Sequence, residues 1–72
     1  MMRLKELRLL NGLTQKQIAE KLNVRQNTYS QYENGNREIP LQSLIALSDI
    51  YDTSIDYIVG ITDYDTAYPR NK

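Results

Sequence analysis

The chain has 72 residues, with nine Lys and Arg balanced by nine Asp and Glu, and it holds neither Cys nor His. So short a chain makes one small domain with a modest core, and the missing Cys and His exclude disulfides, a thiol nucleophile, a Cys-type zinc site and the usual proton shuttle or transition-metal ligand. No apolar run approaches membrane-spanning length and the N-terminus is charged rather than signal-like, so a cytoplasmic location with no membrane partner is expected. The first predicted helix runs from Met1 to about Asn11, with Leu4 and Leu7 inward, Leu9 or Leu10 beside them, and Arg3, Lys5, Glu6 and Arg8 lining the rest; Gly12 ends it. Thr14 is a good N-cap, and Gln17 three residues later completes a capping box. The second helix then covers Gln15 to about Leu22, with Ile18, Ala19 and Leu22 on one inner face. Asn23 tolerates the left-handed conformation and turns the chain without a glycine, and Val24 plugs the turn.

The third helix is predicted over about Gln26 to Glu33, stopping at Asn34-Gly35. At about 100° per residue, Thr28, Tyr29 and Tyr32 cluster on one side, and Gln26, Asn27, Ser30, Gln31 and Asn34 on the other. An ordinary solvated helix face carries Lys and Glu. A face of uncharged amides and hydroxyls offers paired donors and acceptors, as base edges in a major groove do in return. On the face alone, a polar surface helix with nothing bound stands as the plain alternative. Pro40 is expected at the first position of a fourth helix, in which Leu41, Leu44, Ile45, Leu47, Ile50 and Tyr51 are apolar round much of the circumference. Such a helix belongs at the centre of the core or in a subunit interface. Ser54 caps a short fifth helix with Asp56 in its first turn and Ile55, Ile58 and Val59 as its apolar residues; Gly60 ends it. The domain is expected over residues 1–60, with the helix-turn-helix at about 14–33. Residues 61–72 lack a helical period and are expected to form a flexible tail, in which Tyr64 and Tyr68 have the rings to pack.

The neutral total hides a polarity. Residues 1–37 carry seven Lys and Arg against three Glu, a balance of +4, and residues 38–72 carry two against six Asp and Glu, a balance of −4. A dipolar domain can turn its basic half to phosphate and its acidic half away, although chance scatter of so few charges gives the same count. Catalysis is not expected: the carboxylates are scattered over turns and helix ends, and no cofactor or metal site is apparent.

Taken together, GLTQ before the second helix, IAEKL within it, T-x-S in the third, ENG at its end, the Pro-led fourth helix and SIDY before Gly60 resemble the Cro/phage-repressor (XRE) type of helix-turn-helix domain, over about residues 3–60. The resemblance implies an all-α, compact five-helix, lambda-repressor-like domain that binds double-stranded DNA, commonly as a dimeric transcriptional regulator. Its third helix would enter the major groove while the second lies across the backbone. By position, Gln26, Asn27, Ser30 and Gln31 are then the candidate base readers. Gln15 matches a phosphate-contacting position; Lys16, Arg25, Asn34 and Arg37 complete the candidate backbone set. Arg8 and Glu33 match a pair that forms a structural ion pair in some members.

The departures matter too. Arg25 stands where the family usually has a capping Ser or Thr, so a shifted or frayed start of the third helix is expected, with Arg25 free to reach a phosphate. Asn23 replaces a common turn glycine. Gln26 and Gln31 replace frequent arginines, which implies a weaker electrostatic grip and a leaning toward adenine. One helix reads only a handful of base pairs, so a repressor binding a palindromic operator as a homodimer is the expected arrangement. Ile50, Ile55, Ile58, Val59 and Ile61 are its candidate interface. The alternative is a protein-interaction module, such as the antitoxin half of a toxin–antitoxin pair, or a domain taking a regulatory protein partner.

Overall fold

A computed structural model describes residues 2–64. Five helices follow in order, with no strand among the described residues: α1 Leu4–Leu10, α2 Gln15–Leu22, α3 Gln26–Asn34, α4 Leu41–Ile50 and α5 Ile55–Val59. Each is too short to hold its shape alone in water, so their burial against one another stabilises them. The common core comprises Leu4, Leu7, Ile18, Ala19, Tyr29, Tyr32, Ile39, Leu44, Leu47, Tyr51 and Ile58.

α1 begins at Leu4 and has no side-chain cap. Its inner face is Leu4, Leu7 and Arg8, while Leu9 and Leu10 are exposed, against the expectation that one of them joins the core. Helical spacing explains this: positions 4, 7, 8 and 11 share one face, and 9 and 10 fall outside it. Asn11 continues that face and donates from Nδ2 to the Leu7 carbonyl at 2.8 Å.

Local chemistry sets the bounds of α2 and α3. Thr14 accepts from the Gln17 N–H at 3.0 Å, and the Gln17 side chain accepts from the Thr14 N–H at 2.9 Å. Asn23 turns the chain in the left-handed region at φ 59°. The Val24 N–H then donates to the Ala19 carbonyl at 3.0 Å, and the Val24 side chain packs against the core. Gly35, at φ 78°, ends α3, and the next N–H, of Asn36, closes back on the Gln31 carbonyl at 2.9 Å.

Pro40 is not the first residue of α4. It sits one position earlier, extended at ψ 153°, where its carbonyl receives the N–H groups of Ser43 and Leu44. The inner face of α4 includes two buried serines, Ser43 and Ser48, beside Leu44 and Leu47. Ser48 meets its hydrogen-bonding demand locally, donating to the Ile45 carbonyl at 2.7 Å. Leu41 and Ile45, one turn apart, are exposed. In α5 the Ser54 hydroxyl accepts from the Tyr57 N–H at 3.0 Å.

Arg3 closes the domain. Its N–H donates to the Ile58 carbonyl at 2.7 Å, its Nη1 to the Tyr57 and Thr62 carbonyls at 2.6 and 3.1 Å, and its Nη2 pairs with Asp63 at 2.8 Å. The guanidinium also lies 4.2 Å from the centre of the Tyr57 ring. Residues 62 and 63 are thus tied to the start of α1, where the sequence predicts only a loose tail. Tyr64 is exposed, and Tyr68 lies outside the described residues.

Candidate nucleic-acid interface

α3 is held from beneath by two tyrosines. Tyr29 and Tyr32 are buried and meet edge to face, with ring centres 6.3 Å apart at 85°. This fixes the helix about its axis and turns the opposite face outward. Gln26, Asn27 and Asn34 are exposed, and Ser30 and Gln31 are half-buried at the edges of that face. Arg25, extended at ψ 152°, provides no side-chain cap, yet α3 still starts at Gln26, so the expected shift does not occur. The burial of Tyr29 and Tyr32 sets the start that a cap would otherwise set.

Four cations surround this face in sequence: Lys16 and Lys21 on α2, Arg25 in the turn and Arg37 after α3. All are exposed and make no ion pair among the described residues. The seven-cation count in the first half overstates what is available, because Arg3 is engaged with Asp63 and Arg8 with Glu33.

The Arg8–Glu33 pair joins α1 to the end of α3. Arg8 Nε meets Glu33 Oε2 at 2.7 Å, Nη2 meets Oε1 at 3.3 Å, and Nη1 donates to the Leu13 carbonyl at 2.9 Å. The two side chains are only 9% and 5% exposed, so each charge depends on the other. A third group joins them: Gln15 Nε2 donates to Glu33 Oε1 at 3.2 Å. Burial alone would raise the Glu33 pKa, but the hydrogen bonds it accepts, that from Arg8 foremost, hold it below the ordinary carboxylate value. The Arg8 pKa is raised further by the hydrogen bond to Glu33. The Tyr29 hydroxyl is buried close enough to feel this carboxylate yet makes no hydrogen bond of good geometry; burial first, then Glu33, pushes its pKa far up. The Tyr51 hydroxyl is likewise buried without a hydrogen-bond partner among the described residues, and burial pushes its pKa up to about 12.

Sequence reasoning missed the Gln15–Glu33 bond, because the two residues lie eighteen apart and nothing local joins them. It missed the engagement of Arg3 with Tyr57, Ile58, Thr62 and Asp63 for the same reason. Of the candidate interface residues, Ile58 is a correction: it is fully buried in the core and has no surface to offer a second subunit. Ile50, Ile55 and Val59 are half-buried against the core, and Ile61 is 74% exposed. Among the described residues no helix is long and apolar enough to cross a membrane, and no group of three or more potential metal ligands is gathered.

Residues 4–58 match the helix-turn-helix family. Among curated relatives, all from Bacillus subtilis (strain 168), the chain is 43% identical over 61 residues to the uncharacterized HTH-type transcriptional regulator YobD, covering 85% of this chain and 54% of the relative. It is 47% identical over 58 residues to the HTH-type transcriptional regulator ImmR, covering 81% and 46%. It is 36% identical over 58 residues to the HTH-type transcriptional regulator AnsR, covering 81% and 50%. The chain thus spans about half the length of the curated relatives it matches. No solved structure matches it. With the helices, the turn and the outward amide face in this order, the chain belongs to the XRE-type helix-turn-helix family, whose domains bind DNA and are not enzymes.

Proposed function

We propose that the chain is a sequence-specific transcriptional regulator of double-stranded DNA, a repressor that works in the cytoplasm and binds a palindromic operator as a homodimer. The observation that carries this reading is the outward face of α3, uncharged amides and hydroxyls turned away from two buried tyrosines, with exposed Lys16, Lys21, Arg25 and Arg37 on the flanking segments. In this reading Gln26, Asn27, Ser30 and Gln31 read base edges, and Gln15, Lys16, Arg25, Asn34 and Arg37 meet the backbone. Two copies, with recognition helices about 34 Å apart, double the length of the site. Ile61, with the half-buried Ile50, Ile55 and Val59, supplies the interface.

Selection from a random duplex pool tests the proposal. One palindrome is expected to be enriched, with two chains bound per site and far weaker binding to an isolated half-site. Gln26→Ala and Asn27→Ala are then each expected to cost about 1–3 kcal/mol on that site while leaving random DNA nearly unaffected. One chain per full site, with no gain over the half-site, removes the dimer. No enrichment at all removes base reading and favours a protein-interaction module, for which the exposed Leu41 and Ile45 of α4 offer an apolar surface.

A further inference from the structure

We propose that Glu33 has a second role besides its ion pair: it positions the Gln15 side chain for a backbone phosphate, so that the buried pair between α1 and α3 sets the grip at the start of α2. This rests on the reading of Gln15 as a phosphate contact given above. An ionised carboxylate only accepts hydrogen bonds, so the Gln15 amide must turn its NH2 group, not its oxygen, toward Glu33. That nitrogen carries two hydrogens. Glu33 Oε1 takes one at 3.2 Å, and the other remains for an anion.

The carboxylate is itself held in place. Arg8 holds it from α1, and the same guanidinium is anchored on the carbonyl of Leu13, the residue just before the cap of α2. The Gln15 amide is therefore tied to a fixed point instead of sampling its rotamers, and less freedom is lost when phosphate binds. Glu33, with its side chain 5% exposed, does not reach the DNA; it acts through Gln15.

A double-mutant cycle on the selected operator tests this. Arg8→Met with Glu33→Met removes the pair as a unit and strands neither charge. In the native background Gln15→Ala is expected to weaken binding about tenfold, the scale of one charge-assisted hydrogen bond. In the double-methionine background the same change is expected to weaken it about twofold or less, because the amide has already lost its fixed point. Equal losses in the two backgrounds overturn the positioning role. No loss in the native background removes the phosphate contact and this role with it, while base reading by α3 stands. If the double variant does not fold, side-chain amide exchange in the free native protein decides. At least one Gln15 Nε2 hydrogen is expected to exchange about tenfold more slowly than those of the exposed Gln42; equal rates overturn the proposal.

Discussion

Removing the charge of Glu33 leaves the Arg8 guanidinium buried beside a neutral partner. Glu33→Gln is therefore expected to cost on the order of 3 kcal/mol, most of it the penalty of an uncompensated buried charge. The pH dependence follows from the two kinds of shift. Glu33 has a folded pKa below its unfolded one, so its contribution is present above about pH 4 and is lost as the pH falls through the folded value. Tyr29 and Tyr51 are raised, so theirs is present below the ordinary tyrosine value of about 10 and is lost as the pH climbs past it. Denaturant unfolding across pH is expected to show a plateau that falls at both ends, and Glu33→Gln to flatten the acid limb. Tyr51→Phe deletes a hydroxyl with no partner among the described residues, so stability at neutral pH should hold or rise and the alkaline limb should become shallower. A clear loss at neutral pH would show that the hydroxyl has found a partner.

At the scale of the element, the ends of the helices were the most legible part of the chain. Thr14 with Gln17, Asn23, Gly35 and Ser54 each act within a few residues of themselves, so their chemistry is written locally. Pro40 sits one position before the place the sequence suggests because a fixed φ suits both the cap and the first helical turn, and only ψ separates them. Arg25 was legible as a poor cap but not as a harmless one. The start of α3 is held by Tyr29 and Tyr32, and no local pattern reveals how strongly. Arg25→Ser supplies the missing cap and is expected to stabilise the domain by about 0.5–2 kcal/mol. If Arg25 meets a phosphate, the same change should weaken DNA binding alike on specific and random sequence and reduce the salt slope by about one. A stabilised variant with unchanged salt dependence would leave Arg25 solvated in the complex.

For the whole molecule, the all-α plan and the outward face of α3 could be read from spacing, whereas the Arg8–Glu33 pair could be read only from the family resemblance and the Arg3–Asp63 pair not at all. Helical spacing alone makes Arg8 a surface residue, and only the resemblance pairs it with Glu33, twenty-five positions away; Ile58 reads as a spare apolar residue until α5 turns it into the common core. The polarity of the chain is correspondingly milder in three dimensions than in the sequence, since two of the seven cations in the first half face carboxylates. The Arg3 strap has a consequence for how the domain comes apart. It joins residues sixty positions apart, and closing so long a loop costs entropy that an exposed ion pair repays only after the core has formed. The strap should therefore be absent from the folding transition state. Arg3→Ala is expected to speed unfolding and leave the folding rate nearly unchanged in stopped-flow chevrons, and an equal slowing of folding would place the strap in the nucleus instead. The domain then has a weak seam at its edge: residues 61–63 peel away first under heat or denaturant, while α2 and α3, the helices proposed to meet DNA, are still folded.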